Sequence, residues 1–410
     1  ANNQVTGQNP VTFEDVHFNG NVLTLGSAST HLKVNDALAL SGIPLETGAG
    51  NLTLSGALSL SNNAALNSSG GTITLVSGAS ASSGTSISLP DTTLVLQNAL
   101  SLAGATLKTK NTTLTTNDKA LSLSSSSILE VDGTQDLSGV SPDNSTTLRL
   151  AANSTIDDNA TLTVGTLDLA NFALTLDNAM AGLSIAQPVT LDAASEQIIT
   201  GGADLSLNGG ISATAGTLSS TGGTLGLPSG ATLASGASFS TSNTTLNLGG
   251  RLVVADTLTS TSTSVLLTDN ASLSSTVALS LASLQTEGHD FELASASTDL
   301  TIKNAFALSG GETLSTQGAD LIFESSADIS PGSTLDASGG GQLEFQQGGT
   351  DNGTINAENA TFKIGAAYAV PGTLKTNSST TWDLASNLDL SGGKLELGGT
   401  VTLDKVLTDN

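Results

Sequence analysis

A chain of 410 residues with 36 acidic and 11 basic side chains carries a formal net charge of -25, which excludes the clustered Lys and Arg of a nucleic-acid surface. Only 11% of its residues are charged, and with 45 Gly, 9 Phe, 1 Trp and 1 Tyr any core must be built from Leu, Ile, Val and Ala, in many thin layers. Cysteine is absent, so disulfides and thiolate metal sites are excluded.

The chain opens at Ala1 without a basic-then-apolar leader, which reads as the processed N-terminus of a secreted protein. Residues 1–20 are less repetitive than the rest and carry Phe13, Val16 and Phe18. They are expected to form a cap or an interaction arm. Residues 21–410 are expected to form one continuous β-solenoid.

From there on, alternating triplets recur: Leu52-Thr53-Leu54, Ile73-Thr74-Leu75, Leu94-Val95-Leu96, Leu225-Gly226-Leu227. Period-two alternation buries one face of a strand and exposes the other. Thr, Asp or Asn precedes each triplet and Gly, Ser or Asn follows, which is turn chemistry. Leu52, Ile73, Leu94 and Leu114 lie about 20 residues apart, as do Leu205, Leu225, Leu246 and Leu266, and then Leu300, Leu321, Leu343, Phe362 and Trp382. A second apolar pair (Leu58 and Leu60, Leu388 and Leu390) and a third apolar site (Leu66, Leu314, Leu335, Leu374, Leu395) follow within each unit. Three short strands and three turns make one closed coil, and a fixed period of this length is the mark of a solenoid.

The predicted fold is therefore all-β: a right-handed parallel β-helix of about twenty coils of roughly 20 residues, with successive strands about 4.8 Å apart. Irregular spacings of 19 to 22 argue against a strict eighteen-residue left-handed helix, and one Trp and one Tyr cannot supply the girdles of a membrane barrel. No run of 18 apolar residues could form a transmembrane segment. The register slips at 128–147 and at 267–299, which reads as longer turns or irregular coils. The final segment, through Leu395, Leu397, Val401, Leu403 and Val406, keeps the strand pattern. An uncovered last coil would expose unpaired backbone groups, so these residues and Phe13, Val16 and Phe18 are the candidate interface for end-to-end assembly with a second copy.

Units such as Asn51-Leu52-Thr53-Leu54-Ser55-Gly56-Ala57-Leu58-Ser59-Leu60 and Asp299-Leu300-Thr301-Ile302-Lys303-Asn304-Ala305-Phe306-Ala307-Leu308 resemble the β-helical stalks of filamentous-haemagglutinin-like and autotransporter passenger proteins. The resemblance lies in repeat type and runs along nearly the whole chain. It implies a cell-surface or secreted location and adhesion, without the C-terminal translocator barrel of a full autotransporter.

Sites of chemistry are sparse. His17, His31 and His289 form no acidic His-rich cluster, and turn residues such as Asp91 and Asp192 read as caps that could at most bind calcium weakly. Asp157-Asp158 is an adjacent acidic pair, and adjacent strand residues point to opposite faces. Arg149 and Arg251, the only arginines, lie coils apart, too far to clamp a uronate. Sequons at Asn111, Asn144, Asn243 and Asn270 occur in numbers that a Ser/Thr/Asn-rich chain often produces by chance, and they would be glycosylated only where the host modifies extracellular Asn. No catalytic, cofactor or metal residues are assigned. The expected function is an extracellular structural polymer, a filament, matrix or sheath subunit that partners itself. The alternative is an adhesin stalk or a β-helix binding surface glycans or ice, and a carbohydrate-active enzyme comes after both.

Overall fold

A triplet with aliphatic ends and a polar middle can bury only one face, and the chain is assembled from little else. The computed structural model describes residues 3–7, 10–17, 20–157, 160–177, 182–255 and 257–399. Among them there is no helix, and parallel strands stack as a β-solenoid of about 18 turns, about 21 residues apart. The chain divides into two units, residues 1–189 with 195–206, and residues 190–194 with 207–410.

In the first unit the expected spacing becomes strand register. Leu52 pairs with Ile73, Ile73 with Leu94 and Leu94 with Leu114, all in parallel. A second sheet stacks Leu38–Ser41, Leu58–Ser61, Ala79–Ala81, Leu100–Ala103, Leu121–Ser124 and Val140–Pro142. A third includes Ala65–Ser68, Ser86–Pro90, Thr106–Lys110, Ile128–Gln135 and Thr147–Ile156. The inward aliphatics are buried, as at Leu66, Ile87, Leu107 and Leu129, with Leu114, at the end of the first row, half-buried. Where the long strands Ile128–Gln135 and Thr147–Ile156 pair, the register shifts between Val131 and Gly133: these face Leu150 and Ser154, so the extra residues bulge from the second strand, just beyond the irregular stretch of 128–147.

The second unit repeats the scheme with larger side chains. Leu300, Leu321, Leu343, Phe362 and Trp382 pair in sequence on one sheet. Phe306, Phe323 and Phe345 stack with ring centroids 5.1 and 5.2 Å apart, and Phe362 meets Phe345 edge-on at 6.0 Å and Trp382 edge-on at 5.6 Å. The irregular stretch of 267–299 keeps its short strands, Ala271–Ser275, Leu279–Leu281, Ser283–Gln285 and Phe291–Leu293. Its odd turn is held by Glu312, 2% exposed, whose carboxylate accepts from Thr286 Oγ1 and Ser309 N (both 2.8 Å) and from Gly288 N.

Polar side chains join one coil to the next. At several corners a buried hydroxyl donates to a carbonyl of the preceding coil: Thr112 to Leu89 O (2.6 Å), Thr146 to Leu123 O (3.2 Å), Thr244 to Ser220 O (3.1 Å), Thr380 to Ala357 O (2.8 Å). Elsewhere an Asn or Asp oxygen receives the amide of the following coil: Asn51 from Thr72 N (2.8 Å), Asp299 from Asp320 N (3.0 Å), Asp320 from Gln342 N (2.7 Å). These bonds satisfy backbone groups that the turns leave outside the ladders.

Candidate functional site

The candidate assembly residues fall in two places. Phe13 ends the strand Val11–Phe13, pairs with Val34 and is 39% exposed, while Val16 is half-buried just beyond it. Phe18 lies outside the described residues. In the second unit, Leu395 and Leu397 belong to Lys394–Gly398, where Leu395 pairs with Leu374 and Leu397 with Thr376. Leu395 is half-buried and Leu397 is 50% exposed. Val401, Leu403 and Val406 lie outside the described residues. Lys394–Gly398, Thr381–Leu384 and Leu388–Asp389 are each the last strand of their sheet, with no partner on their outer edge among the described residues. The indole Nε1 of Trp382, on one of these strands, is buried without a hydrogen-bond partner among the described residues.

The first unit offers a different surface. Ser59, Ser80, Ser101, Ser122 and Ser141 occupy one outward position on consecutive strands, each paired with the next. Their neighbours on that face include Ala39, Ser41, Ser61, Ala103 and Ser124; the row itself carries no charge, and Asp143 lies exposed at its end, beyond Ser141. Strand spacing sets the serines about 4.8 Å apart. On the adjoining sheet the cations are matched by acids one coil away: Lys108 with Glu130 (3.1 Å), Lys110 with Asp132 (2.9 Å) and Arg149 with Asp168 (2.9 Å). The Asp132 partner raises the Lys110 pKa through a hydrogen bond and charge attraction.

No family model, curated protein or solved structure matches this chain. Any functional reading therefore stands on these surfaces alone.

The remaining sequence candidates are dispersed. His17 Nε2 lies 2.8 Å from Asp15 Oδ2, and both side chains are largely in solvent. His31 begins the strand His31–Val34 and pairs with Asn51. Asp91 adopts a φ of 53° and accepts from Asn111 Nδ2 at 3.0 Å, the geometry of a turn. Asp157 is exposed and Asp158 lies outside the described residues. Arg149 and Arg251 belong to different units. Among the described residues no three His, Asp or Glu side chains gather where they could hold a metal ion, and no helix is long and apolar enough to cross a membrane.

One group had no sequence signal beyond its odd letter in the pattern. Asp351 takes an inward position, paired with Ile329, on the row that begins with Leu308. It is 0% exposed; Oδ1 accepts from Gly353 N at 2.8 Å and Oδ2 has no partner among the described residues. Burial raises its pKa from 3.8 to about 6. In the same strand, Gly349 stands where an added Cβ would lie 2.0 Å from Ala327 O. The Tyr368 ring, paired over Gly349, uses that space: its hydroxyl donates to Ala327 O at 3.3 Å, two coils away, and its ring lies 4.3 Å from Phe345. Burial, with Asp351 and Asp328 nearby, pushes the Tyr368 hydroxyl well above its ordinary pKa.

Proposed function

We propose that this chain is a non-catalytic structural protein of the extracellular or cell-surface space that polymerises end to end by strand addition. The observation carrying this reading is the set of three outer edges on Thr381–Leu384, Leu388–Asp389 and Lys394–Gly398, with Leu397 half exposed among them. A parallel edge offers an incoming strand the same donors and acceptors that bind the coil beneath it. Phe13 and its exposed strand supply an apolar counterpart. The charge of -25 opposes association, but screening sets in beyond about 8 Å at physiological salt. Assembly is therefore expected to strengthen with salt or divalent cations.

The test is light scattering of the full chain, of a variant lacking residues 1–20, and of Leu397→Lys. Salt-promoted polymers lost in both variants support the reading. Unchanged assembly without residues 1–20 removes the arm from the mechanism, and a strictly monomeric full chain at high concentration removes the polymer itself.

A second reading, a ligand-binding stalk, draws on the uncharged serine row. An ordered array of hydroxyls suits a repeating hydroxylated surface such as a glycan or ice. Binding to a neutral polysaccharide or inhibition of ice growth, abolished by Ser80→Lys and Ser101→Lys together, would favour it over the first.

A further inference from the structure

We propose that Asp351 is an acid-set latch in the wall of the second unit: protonated, it lets the coils around it close, and ionised, it draws water inward and loosens them. Leu308 and Ile329 fill the inward row on the preceding coils, and Asp351 continues that row with a carboxyl group that is 0% exposed. A buried carboxylate needs a cation or several hydrogen bonds to hold its charge. Asp351 has one bond, from Gly353 N, and its other oxygen has no partner among the described residues.

Nor does a neighbouring strand bring a cation. Of the flanking strands, Ala327–Ile329 carries Asp328 and Tyr368–Ala369 carries Tyr368. On the same sheet Asp389, in its last strand, is exposed; on the other sheets of this unit, Glu344 and Lys363 pair with each other at 3.3 Å, and Asp336 and Lys375 occupy outward positions. Phe306–Leu308, Leu321–Phe323 and Thr354–Asn356 contribute no titratable group. The nearby charges are negative or already paired, and both acids act on the Tyr368 hydroxyl.

The sign follows from linkage. The closed coil holds its proton up to about pH 6, while an open coil releases it near 3.8. Closure is therefore fully favoured in acid, weakens as pH rises from about 4 to 6, and is level above that, with a ceiling of roughly a hundredfold in the opening equilibrium. The loss should be local, because each coil of a solenoid depends on its immediate neighbours. The Tyr368 hydroxyl, bonded to Ala327 across Gly349, ties three successive coils to the Asp351 strand and would loosen with it.

The experiment is hydrogen exchange of the full chain from pH 4 to 7.5, corrected for chemical exchange and read on peptides spanning 327–369. Peptides spanning 51–115 in the first unit serve as the control. Opening should rise ten- to a hundredfold between pH 4 and 7 in the wild type, and Asp351→Asn should be closed and flat across the range. A flat wild-type profile, a step of the same size in Asp351→Asn, or an equal step in the control peptides would overturn the proposal. If Asp351→Asn does not fold, Asp351→Val, which restores the aliphatic row, replaces it, and the wild-type profile remains decisive alone.

Discussion

Replacing Thr112 by Val isolates the corner hydroxyl from its packing. The two side chains have nearly the same shape, and Thr112 is 6% exposed, so no cavity opens. What disappears is the donor to Leu89 O at 2.6 Å and the acceptor for Lys110 N at 3.0 Å. Leu89 O keeps a longer bond from Thr92 N at 3.3 Å, while Lys110 N loses its side-chain acceptor. A buried backbone group stripped of its partner costs about 1–3 kcal/mol. The gain from a more apolar side chain offsets part of this, leaving a net loss of about 1–2 kcal/mol. A melting curve would dilute that over many coils, because stability in a stacked array is a sum of neighbour terms. Hydrogen exchange of the strands Thr93–Leu96 and Thr106–Lys110 reads it directly, and should quicken roughly 5- to 30-fold. Thr113→Val, at an exposed position of the next strand, is the matched control and should change exchange by less than about twofold. Equal effects from the two substitutions, or none from Thr112→Val, would show that the corner bond contributes nothing to coil stacking.

Two further substitutions probe the same construction. Leu246→Asp places a carboxyl group at a 3% exposed position between Leu225 and Val265, whereas the half-buried Asn247 lies on the opposite face between Gly226 and Leu266, with its Oδ1 buried and without a partner among the described residues; the first should cost several kcal/mol and the second, Asn247→Asp, clearly less, and equal denaturant midpoints would mean the inward and outward faces are misassigned. Glu312→Gln keeps the shape of the side chain but weakens its hold on Thr286, Gly288 and Ser309; limited proteolysis should then cut first within 286–290, and an unaltered cleavage map would remove Glu312 as the clasp of that turn.

The repeat was legible because aliphatic side chains must sit on every second residue, and a step near 20 brings them into line; Leu52, Ile73, Leu94 and Leu114 became register partners for that reason alone. The corner hydroxyls were hidden by composition. In a chain full of Thr, the doublets Thr92-Thr93-Leu94, Thr112-Thr113-Leu114, Thr146-Thr147-Leu148 and Thr244-Thr245-Leu246 look like turn residues, yet the first Thr of each is buried and the second is not. That doublet is the sequence signal for a corner. Asp351 was hidden differently: its triplet, Gly349-Thr350-Asp351, carries no aliphatic residue, and only the Ile329 partner reveals that its ends point inward. Of the residues proposed for assembly, Phe13, Leu395 and Leu397 stood out in the sequence as apolar positions near its two ends, and they are exposed or half-buried on outer strands. The serine row was not, since Ser59, Ser80, Ser101, Ser122 and Ser141 stand out from other serines only once the strands are aligned.

The coil-to-coil bonds of the first unit carry a consequence for how such a chain changes size. Thr93 and Thr113 occupy the same row, as do Leu100 and Leu121, and Thr106 and Ile128. Excising residues 93–112 would join Thr92 to Thr113 and bring Thr113, Leu121 and Ile128 into the places vacated by Thr93, Leu100 and Thr106. The aliphatic rows would close up with one rung fewer, and the side-chain cost would be the loss of Lys108 and Lys110, which leaves Glu130 and Asp132 over Ser88 and Pro90. Gene duplication or slippage by a whole repeat thus preserves the register, whereas a gain or loss of five residues would misplace every bond above it. Selection can set the number of rungs without revising any of them, and homologous chains should differ in length by multiples of one repeat.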